Sequence, residues 1–219
     1  MTLGVGVMSR VPSAAGKTRL APHLSSSRLR ALREALFVDT LETVAGVSDA
    51  AAVVFFTPAG GEVEIRALSP VPLPCVPQAG DDLGERMRAA VDHLLGPLGC
   101  EAAVLVGTDS PLLAAEHITE ARESLDGFRG VVLGPADDGG YYLIGMRTRH
   151  AALFCGVPWG TSSVLTDTLR AADRGGIEAR LIRAAYDVDT IEDLRRLEED
   201  LRTAPRHLAP HVRRWLGDG

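Results

Sequence analysis

Three cationic side chains lie close together near the amino terminus. Arg10, Lys17 and Arg19 stand among small residues in the segment SRVPSAAGKTRL. Small residues let backbone N–H groups approach an anion, and the cations offset its charge, so the segment suits a polyphosphate. Gly16 belongs to this candidate nucleotide site. The chain has one lysine, Lys17, and 22 arginines. A compact ammonium suits a tight loop around phosphates better than a broad guanidinium does.

The tripeptide Gly16-Lys17-Thr18 also permits interpretation as a P-loop. A P-loop needs the pattern G-x-x-x-x-G-K-[ST], and its first glycine is replaced here by Val11. Pro22 would also break the helix that must follow. We therefore favour a phosphate site of another kind, both over a P-loop and over ordinary solvated cations.

Carboxylates follow two other apolar runs. Asp109 comes after the run VLVGT, and Asp187 and Asp189 alternate in the segment YDVDT. Alternate side chains of an extended stretch point the same way, so Asp187 and Asp189 could share a metal ion, and Asp109 could hold one at its own strand end. Carboxylates suit Mg²⁺, with Mn²⁺ as a second choice, and Mg²⁺ also takes phosphate oxygens and water. Two other interpretations compete with a metal site. Asp109 could cap a turn, and Asp187 and Asp189 could be acids at a helix start that interact favourably with the helix macrodipole.

Other polar segments are candidates for contacts with a nucleotide. The loop that begins QAGDDLGER could hold a base or ribose, although an ordinary loop followed by a helix cap fits it equally well. Gly107 gives the backbone freedom to approach a nucleotide. The candidate nucleotide contacts in these segments are Gln78, Gly84, Arg86, Gly107 and Thr108.

Two glycine-containing segments are candidates for an acceptor site. The segment LGPADDGGYYLIG would let an acceptor come close, and in PWGTS a flat apolar tryptophan wall precedes helix N–H groups. The predicted acceptor contacts are Asp138, Gly139, Gly140, Trp159, Thr161 and Ser162. The alternatives are a tight Asp-Gly hairpin turn and a core tryptophan beside a threonine N-cap.

Apolar β-rich runs alternate with helical patterns, which predicts an α/β fold with a parallel-rich sheet covered on both faces. In such sheets ligands bind outside the carboxyl ends of the strands, where the candidate residues stand. The predicted strands are 3–8, 51–56, 102–107, 131–134, 141–146 and 178–183. The first predicted helix has its N-cap within residues 25–27 and runs to about residue 44. The other predicted helices are 83–95, 114–125, 161–172 and 191–201, the last with a capping box of Thr190 and Asp193. Residues 57–80 are predicted to be irregular, with a short strand near Cys75.

The composition limits the classes of protein to which the chain can belong. With 219 residues and 46% hydrophobic residues, the chain can form one domain with a core, which we expect over 1–204, followed by a tail at 205–219 with a short helix. The net charge of −6 argues against a nucleic-acid or membrane-surface binder. The amino terminus is typical of a strand rather than a signal peptide. Three separated cysteines indicate a reduced, cytoplasmic protein.

Several segments together resemble a bacterial family with the GT-A fold of nucleotide-diphospho-sugar transferases. They are KTRL (17–20), GDDLGERM (80–87), GTDSP (107–111), residues 133–145, VPWGT (157–161) and YDVDTIEDL (186–194). The chain is more distantly similar to the guanylyltransferases for molybdenum cofactor and for 2-phospho-L-lactate. The resemblance implies a three-layer α/β/α Rossmann-like fold with a mixed, mostly parallel sheet.

The resemblance also implies roles for individual residues. Arg10, Lys17 and Arg19 would bind NTP phosphates, Asp109 would bind metal, and Asp189 would complete the metal site with Asp187 as its neighbour. The family usually carries Lys-x-Pro-x-Pro-Gly before the KTRL segment. This chain is one residue shorter there and places Gly16 next to Lys17, which could mean a changed donor.

Our first hypothesis is a Mg²⁺-dependent nucleotidyltransferase that moves an NMP group from an NTP to a small phosphorylated or phosphonate acceptor. Arg10, Lys17 and Asp109 are its candidate catalytic residues. The alternatives are a glycosyltransferase that uses a nucleotide sugar, with Asp138 as base, and a non-catalytic nucleotide-binding module. The expected partners are a nucleoside triphosphate or nucleotide sugar and a small-molecule acceptor, not nucleic acid or membrane, and the sequence is compatible with a homodimer.

Overall fold

The computed structural model describes residues 1–217, and Asp218 and Gly219 lie outside the described part. Seven strands form the sheet: β1 (Leu3–Arg10), β2 (Ala50–Thr57), β3 (Cys75–Pro77), β4 (Ala102–Val106), β5 (Val131–Pro135), β6 (Tyr141–Met146) and β7 (Ala179–Leu181). The helices are α1 (Ser26–Ala45), α2 (Glu62–Leu68), α3 (Leu83–Leu95), α4 (Ala115–Leu125), α5 (Val164–Arg174), α6 (Ile191–Thr203) and α7 (Pro210–Gly217). Each helix in residues 1–217 is too short or too polar to cross a lipid bilayer.

The strand order is β3-β2-β1-β4-β6-β5-β7. All neighbouring strands are parallel except β6, which runs antiparallel to both β4 and β5. The predicted α/β fold with a mixed, mostly parallel sheet is therefore confirmed. Because β1 and β4 are adjacent and parallel, their carboxyl ends lie side by side, and the reversed β6 brings its first residues to the same edge.

Alternation along β1 explains how the sheet packs on both faces. Leu3, Val5 and Val7 are buried in a cluster with the apolar residues of α1 and α4. The intervening Gly4 and Gly6 face the other layer, where α3 packs. A Cβ on Gly6 would lie 2.6 Å from Leu105 Cδ2, so this position excludes a side chain.

Residues 57–80 differ from the expectation of irregular structure, because they contain α2 as well as the expected short strand. Ile65 is the one buried residue of this helix. A single buried side chain produces no helical repeat that a sequence pattern could reveal. The start of α5 also differs, since residues 161–163 form a turn and the helix begins at Val164.

The segment after α6 packs onto α1. Val212 and Trp215 of α7 are buried, and the indole N–H of Trp215 donates to the carbonyl of Arg28 at 3.0 Å. Asp39 on α1 accepts hydrogen bonds from the backbone N–H groups of His211 and Val212 at 2.9 Å each. The carboxylate thereby satisfies two N–H groups at the start of α7. The expected tail thus contributes a helix to the core.

Candidate active site

Lys17 lies between the carboxylates of Asp109 and Asp189. Its Nζ is 2.5 Å from Asp109 Oδ1 and 3.3 Å from Asp189 Oδ1, and it donates to the carbonyl of Val188 at 2.7 Å. The Lys17 side chain is 5% exposed. One buried cation is thus surrounded by oxygen atoms from two distant parts of the sequence.

The sheet explains how these residues meet. Lys17 lies in the loop after β1, Asp109 follows β4, and the two strands are neighbours. The backbone N–H of Val188 donates to the carbonyl of Asp109 at 3.0 Å, which ties the third segment to the second. The predicted capping box of α6 is present, and Asp193 also accepts from the N–H of Asp189 at 3.1 Å.

The electrostatic balance keeps Lys17 charged. Burial disfavours the ammonium, but the nearby carboxylates of Asp109 and Asp189 outweigh burial, and the pKa of Lys17 is raised above its ordinary value. The residue also adopts a left-handed backbone conformation with φ 51°. Such a conformation is uncommon outside glycine, and strained residues of this kind cluster at functional sites.

Asp187 makes no ion pair with Lys17, although it is close enough to Asp109 and Lys17 for their charges to act on it. The hydroxyl of Ser110 donates to its carboxylate, and burial raises the pKa of Asp187 to about 6. Within residues 1–217, Asp109, Asp187 and Asp189 do not form a set of mutually close ligand atoms. The set that does, with all ligand atoms within 4.8 Å, is Asp39, Glu42 and His211, where Asp39 already caps α7.

A cavity of about 580 Å³ opens beside Lys17, at the carboxyl ends of β1 and β4. Arg10, Lys17 and Arg33 bring three cationic side chains to its lining, with Asp109 and Asp189 among the lining residues. The lining also includes Gly16, Thr18 and Thr108. The predicted cationic loop and the predicted carboxylates therefore share one cavity.

Arg33 is absent from the predictions made from sequence. It projects from α1, and its guanidinium donates to the carbonyls of Pro12 at 2.7 Å and Gly16 at 3.3 Å. Burial lowers its pKa. Arg10 holds the same loop from the other side by donating to the carbonyl of Ala15 at 2.9 Å. Arg33 lies in the middle of a helix and not at the end of a strand, so the sequence pattern gave no reason to select it. Its contacts with the loop are a product of the tertiary fold.

A second cavity, of about 240 Å³, adjoins the first and shares Met8 and Asp109 with it. Its walls are largely apolar, and its polar lining includes Asp187 and Ser110. Gly107 belongs to this lining. The remaining wall residues are Leu83, Met87, Leu105, Val106, Tyr141, Tyr142 and Ile144.

Four of the predicted nucleotide contacts lie outside both cavities. Arg19 is exposed. The side-chain amide of Gln78 donates to the carbonyls of Ser9 and Phe55 at 3.1 and 2.9 Å. A Cβ on Gly84 would lie 2.5 Å from the indole nitrogen of Trp159. Gln78 thus links β1 to β2, and Gly84 allows close packing against Trp159.

Arg86 is the fourth of these residues. Its guanidinium donates to the carbonyls of Gly80 at 2.9 Å and Asp81 at 3.3 Å. It therefore holds the loop that precedes α3.

The predicted acceptor residues likewise lie outside both cavities, although Gly160, between Trp159 and Thr161, lines the first one. Asp138 accepts from the N–H of Gly140 at 2.8 Å. Gly139 has φ 88°, and a Cβ there would lie 2.0 Å from the carbonyl oxygen of Ser162. Asp138 and Gly139 therefore serve the structure of this loop, whereas Asp137 accepts from the guanidinium of Arg196 on α6 at 2.6 Å.

The other predicted acceptor residues form a turn before α5. The hydroxyl of Thr161 donates to the carbonyl of Pro158 at 2.8 Å, and Ser162 is exposed. Trp159 lies edge-on to Tyr141, with ring centroids 6.5 Å apart. Gly160, with φ 79°, is the point at which this turn reaches the first cavity.

Comparison with known proteins bears on the family and the fold of the chain. The profile of the family described as uncharacterised protein conserved in bacteria, DUF2064, matches residues 40–161. A protein from Desulfovibrio desulfuricans G20, provisionally assigned as a nucleotide-diphospho-sugar transferase, is 27% identical with a TM-score of 0.88, over 97% of this chain and 94% of that chain. No curated protein matches the chain.

Two further solved structures share the fold at low identity. CMP:2-keto-3-deoxy-manno-octonic acid synthetase complexed with CTP is 12% identical, with a TM-score of 0.60 over 92% of this chain and 99% of that chain. A cytidylyltransferase from Leptospira borgpetersenii serovar Hardjo-bovis is 13% identical, with a TM-score of 0.60 over 94% of this chain and 89% of that chain. These likenesses concern the fold alone.

Proposed function

The chain belongs to the bacterial family DUF2064, and on this premise we propose that it is a Mg²⁺-dependent nucleotidyltransferase. It moves an NMP group from an NTP to a phosphate or phosphonate oxygen of a small acceptor and releases pyrophosphate. The observation that carries the proposal is the cavity in which Arg10, Lys17 and Arg33 stand beside Asp109 and Asp189. Cations there suit a polyphosphate, and carboxylates suit its counter-ion.

The donor atoms fit a hard divalent cation. Oxygens of Asp109, Asp189 and the Val188 carbonyl already surround the ammonium of Lys17, so the group accommodates a positive charge. Carboxylate and carbonyl oxygens are the ligands that Mg²⁺ and Mn²⁺ take. When bound, such an ion would supply charge neutralisation for the phosphates. Asp109 and Asp189 would hold it, with Asp187 as a neighbour on the side of the second cavity.

The protein's own residues bind and orient the reacting groups. Arg10 and Arg33 fix the loop after β1 by their bonds to its carbonyls, so backbone N–H groups and cations meet the phosphates in a set arrangement. An acceptor oxygen attacks the α-phosphorus, the bond to the β-phosphate breaks, and pyrophosphate leaves with the bonding electrons. Positioning and preorganised charge are the main contributions a protein makes to such a transfer.

The second cavity suits a less charged part of the substrates. Leu83, Met87 and Ile144 form apolar walls beside Asp109, so a group placed there lies next to the phosphate cavity. A flat base or an apolar part of the acceptor fits such walls. A CTP complex is known for one protein of the same fold, which supports a nucleotide as the ligand.

A sugar transferase is the second candidate, because the Desulfovibrio protein carries that provisional assignment. It would release an NDP from a nucleotide sugar and would need a base for the acceptor hydroxyl. Asp138, the residue expected for that role, accepts a bond from Gly140 and lies outside both cavities. This placement favours nucleotidyl transfer.

The test is a screen of the four NTPs and common nucleotide sugars with Mg²⁺ or Mn²⁺, first by thermal shift and then by product. We expect stabilisation by an NTP with metal, and release of pyrophosphate when the correct acceptor is supplied. Release of an NDP from a nucleotide sugar would replace the proposal with sugar transfer. Binding without turnover of any donor, across a broad set of phosphorylated acceptors, would indicate a non-catalytic module.

A further inference from the structure

The oxygens that suit a divalent cation are those that hold Lys17. Asp109 Oδ1 and Asp189 Oδ1 lie 2.5 and 3.3 Å from its Nζ, and the Val188 carbonyl lies 2.7 Å away. A metal ion that binds through these same three oxygens must therefore displace the ammonium from them. Two cations held by one set of oxygen atoms would repel each other at short range, so Lys17 and the metal ion compete for this place.

We propose that Lys17 is an exchangeable counter-ion which makes the metal ion and the nucleotide bind cooperatively. The metal ion alone competes with the ammonium for Asp109 and Asp189. When phosphates enter the same cavity they take the ammonium, and the carboxylates become free for the metal. The inference rests on the proposed function, since it assumes that phosphates and a metal ion use this cavity.

The charges around the cavity support an exchange of this kind. The Lys17 ammonium is nearly buried, so moving it away from the carboxylates without another anion would leave it poorly compensated. A polyphosphate provides that anion. Arg10 and Arg33, which line the same cavity, donate to backbone carbonyls rather than to Asp109 or Asp189. Lys17 is therefore the cavity cation that contacts both carboxylates.

The side chain rather than the loop is the part that can move. Pro12, Ala15 and Gly16 are held by the two guanidinium groups, whereas a lysine ammonium stands on a flexible stem with freely rotating donors. A guanidinium at position 17 would hold both carboxylates with a broader fork. The exchange thus depends on the residue type at this position.

The first test uses the fact that the chain has one lysine. Protein labelled with ¹³C-lysine gives the side-chain signals of Lys17 alone, and these are followed while Mg²⁺, inorganic tripolyphosphate, or both are added. We expect the Cε signal to shift far more with Mg²⁺ and tripolyphosphate together than with equal Mg²⁺ alone. A signal that stays unchanged under all three conditions overturns the proposal, as does an equal shift with Mg²⁺ alone.

The second test measures the affinity for Mn²⁺ alone by electron paramagnetic resonance, without nucleotide. Lys17→Met removes the competing charge, and we expect this variant to bind Mn²⁺ about tenfold more tightly than the wild type, within the usual range for coupled sites. Arg195→Met is the matched control, because it removes one positive charge at an exposed residue of α6. Equal Mn²⁺ affinity in wild type and Lys17→Met, or no binding to either, overturns the proposal.

The outcomes separate this inference from the proposed function. Pyrophosphate release by the wild type, together with unchanged Mn²⁺ affinity in Lys17→Met, rejects the counter-ion exchange alone. Tighter Mn²⁺ binding in Lys17→Met, with no product from any NTP, keeps the exchange and rejects the proposed chemistry. The ¹³C experiment is made on the wild type, so it remains decisive even if the variant folds poorly.

Discussion

The loop after β1 and the loop before β6 lie at the same edge of the sheet and use their polar residues differently. In the first, which we call the phosphate loop (residues 11–25), Lys17 reaches across to carboxylates on two other segments. In the second, the acceptor loop (residues 136–140), Asp138 and Gly139 satisfy their own loop and the turn before α5. The second loop also forms an ion pair with another segment, between Asp137 and Arg196, but that pair does not line the first cavity. The difference is that Lys17 brings its charge into the cavity, whereas the carboxylate of Asp138 bonds to its own loop.

The largest expected effect comes from Lys17→Ala in the phosphate loop. Losing the one cation between the carboxylates should lower pyrophosphate release about 10²–10³-fold, a loss typical of removing a preorganised charge from an active site. Circular dichroism should show an unchanged fold. Asp138→Ala in the acceptor loop is the control, with a far smaller loss of rate. If Asp138→Ala proves as damaging as Lys17→Ala, the contrast between the two loops is wrong.

Gly139→Ala should affect stability rather than chemistry. The residue has φ 88°, and the new Cβ would press against the Ser162 carbonyl, so the free energy of unfolding should fall by about 2 kcal/mol. Denaturant unfolding followed by circular dichroism measures the change. Gly99→Ala, which also has a left-handed φ of 69° but nothing within 4 Å of its Cβ, should cost less. Equal losses in the two variants would show that contact with Ser162 is unimportant.

Arg33→Ala tests whether the phosphate loop needs its support from α1. Without the bonds to Pro12 and Gly16, the loop should hold phosphates less well, and kcat/KM should fall about tenfold, equivalent to about 1.4 kcal/mol. The matched control is Arg170→Ala, an exposed residue of α5 whose ion-pair partner, Asp167, lies on the same helix. An unchanged kcat/KM in Arg33→Ala would mean that the loop holds its shape without this guanidinium.

The smallest expected effect is on the pH dependence of stability, away from both loops. Burial lowers the pKa of His117 below its ordinary value of 6.5, so the unfolded chain takes up a proton more readily than the folded protein does. The free energy of unfolding should therefore fall as the pH drops through 6.5 and reach its full value above it. His117→Gln should flatten that slope in urea titrations at pH 5 to 8. An equally steep slope in the variant would assign the effect to other groups.

The sequence could predict the site residues that follow directly after strands. Asp109 follows an apolar strand, Lys17 follows another, and the sheet brings parallel strand ends together. The capping residues Thr190 and Asp193 also carried a local signal, which is why the start of α6 is where it was expected.

The rest depends on tertiary partners that a pattern does not show. Arg33 reaches the phosphate loop from the middle of a helix. Gln78 and Arg86 look available in the sequence, but Gln78 donates to carbonyls of β1 and β2. Arg86 donates to carbonyls of the loop that precedes its own helix. A polar side chain in a loop can bind a ligand or form hydrogen bonds with the protein backbone, and residue type alone does not distinguish the two.

The reversed direction of β6 has a consequence for how such a protein can evolve. The acceptor loop joins β5 to β6 as a hairpin, and it enters the sheet at the edge where the phosphate loop leaves it. Insertions or deletions in that hairpin leave the pairing of β1 with β4 untouched. The length of this loop can therefore change between related chains while Lys17, Asp109 and Asp189 keep their places around the first cavity.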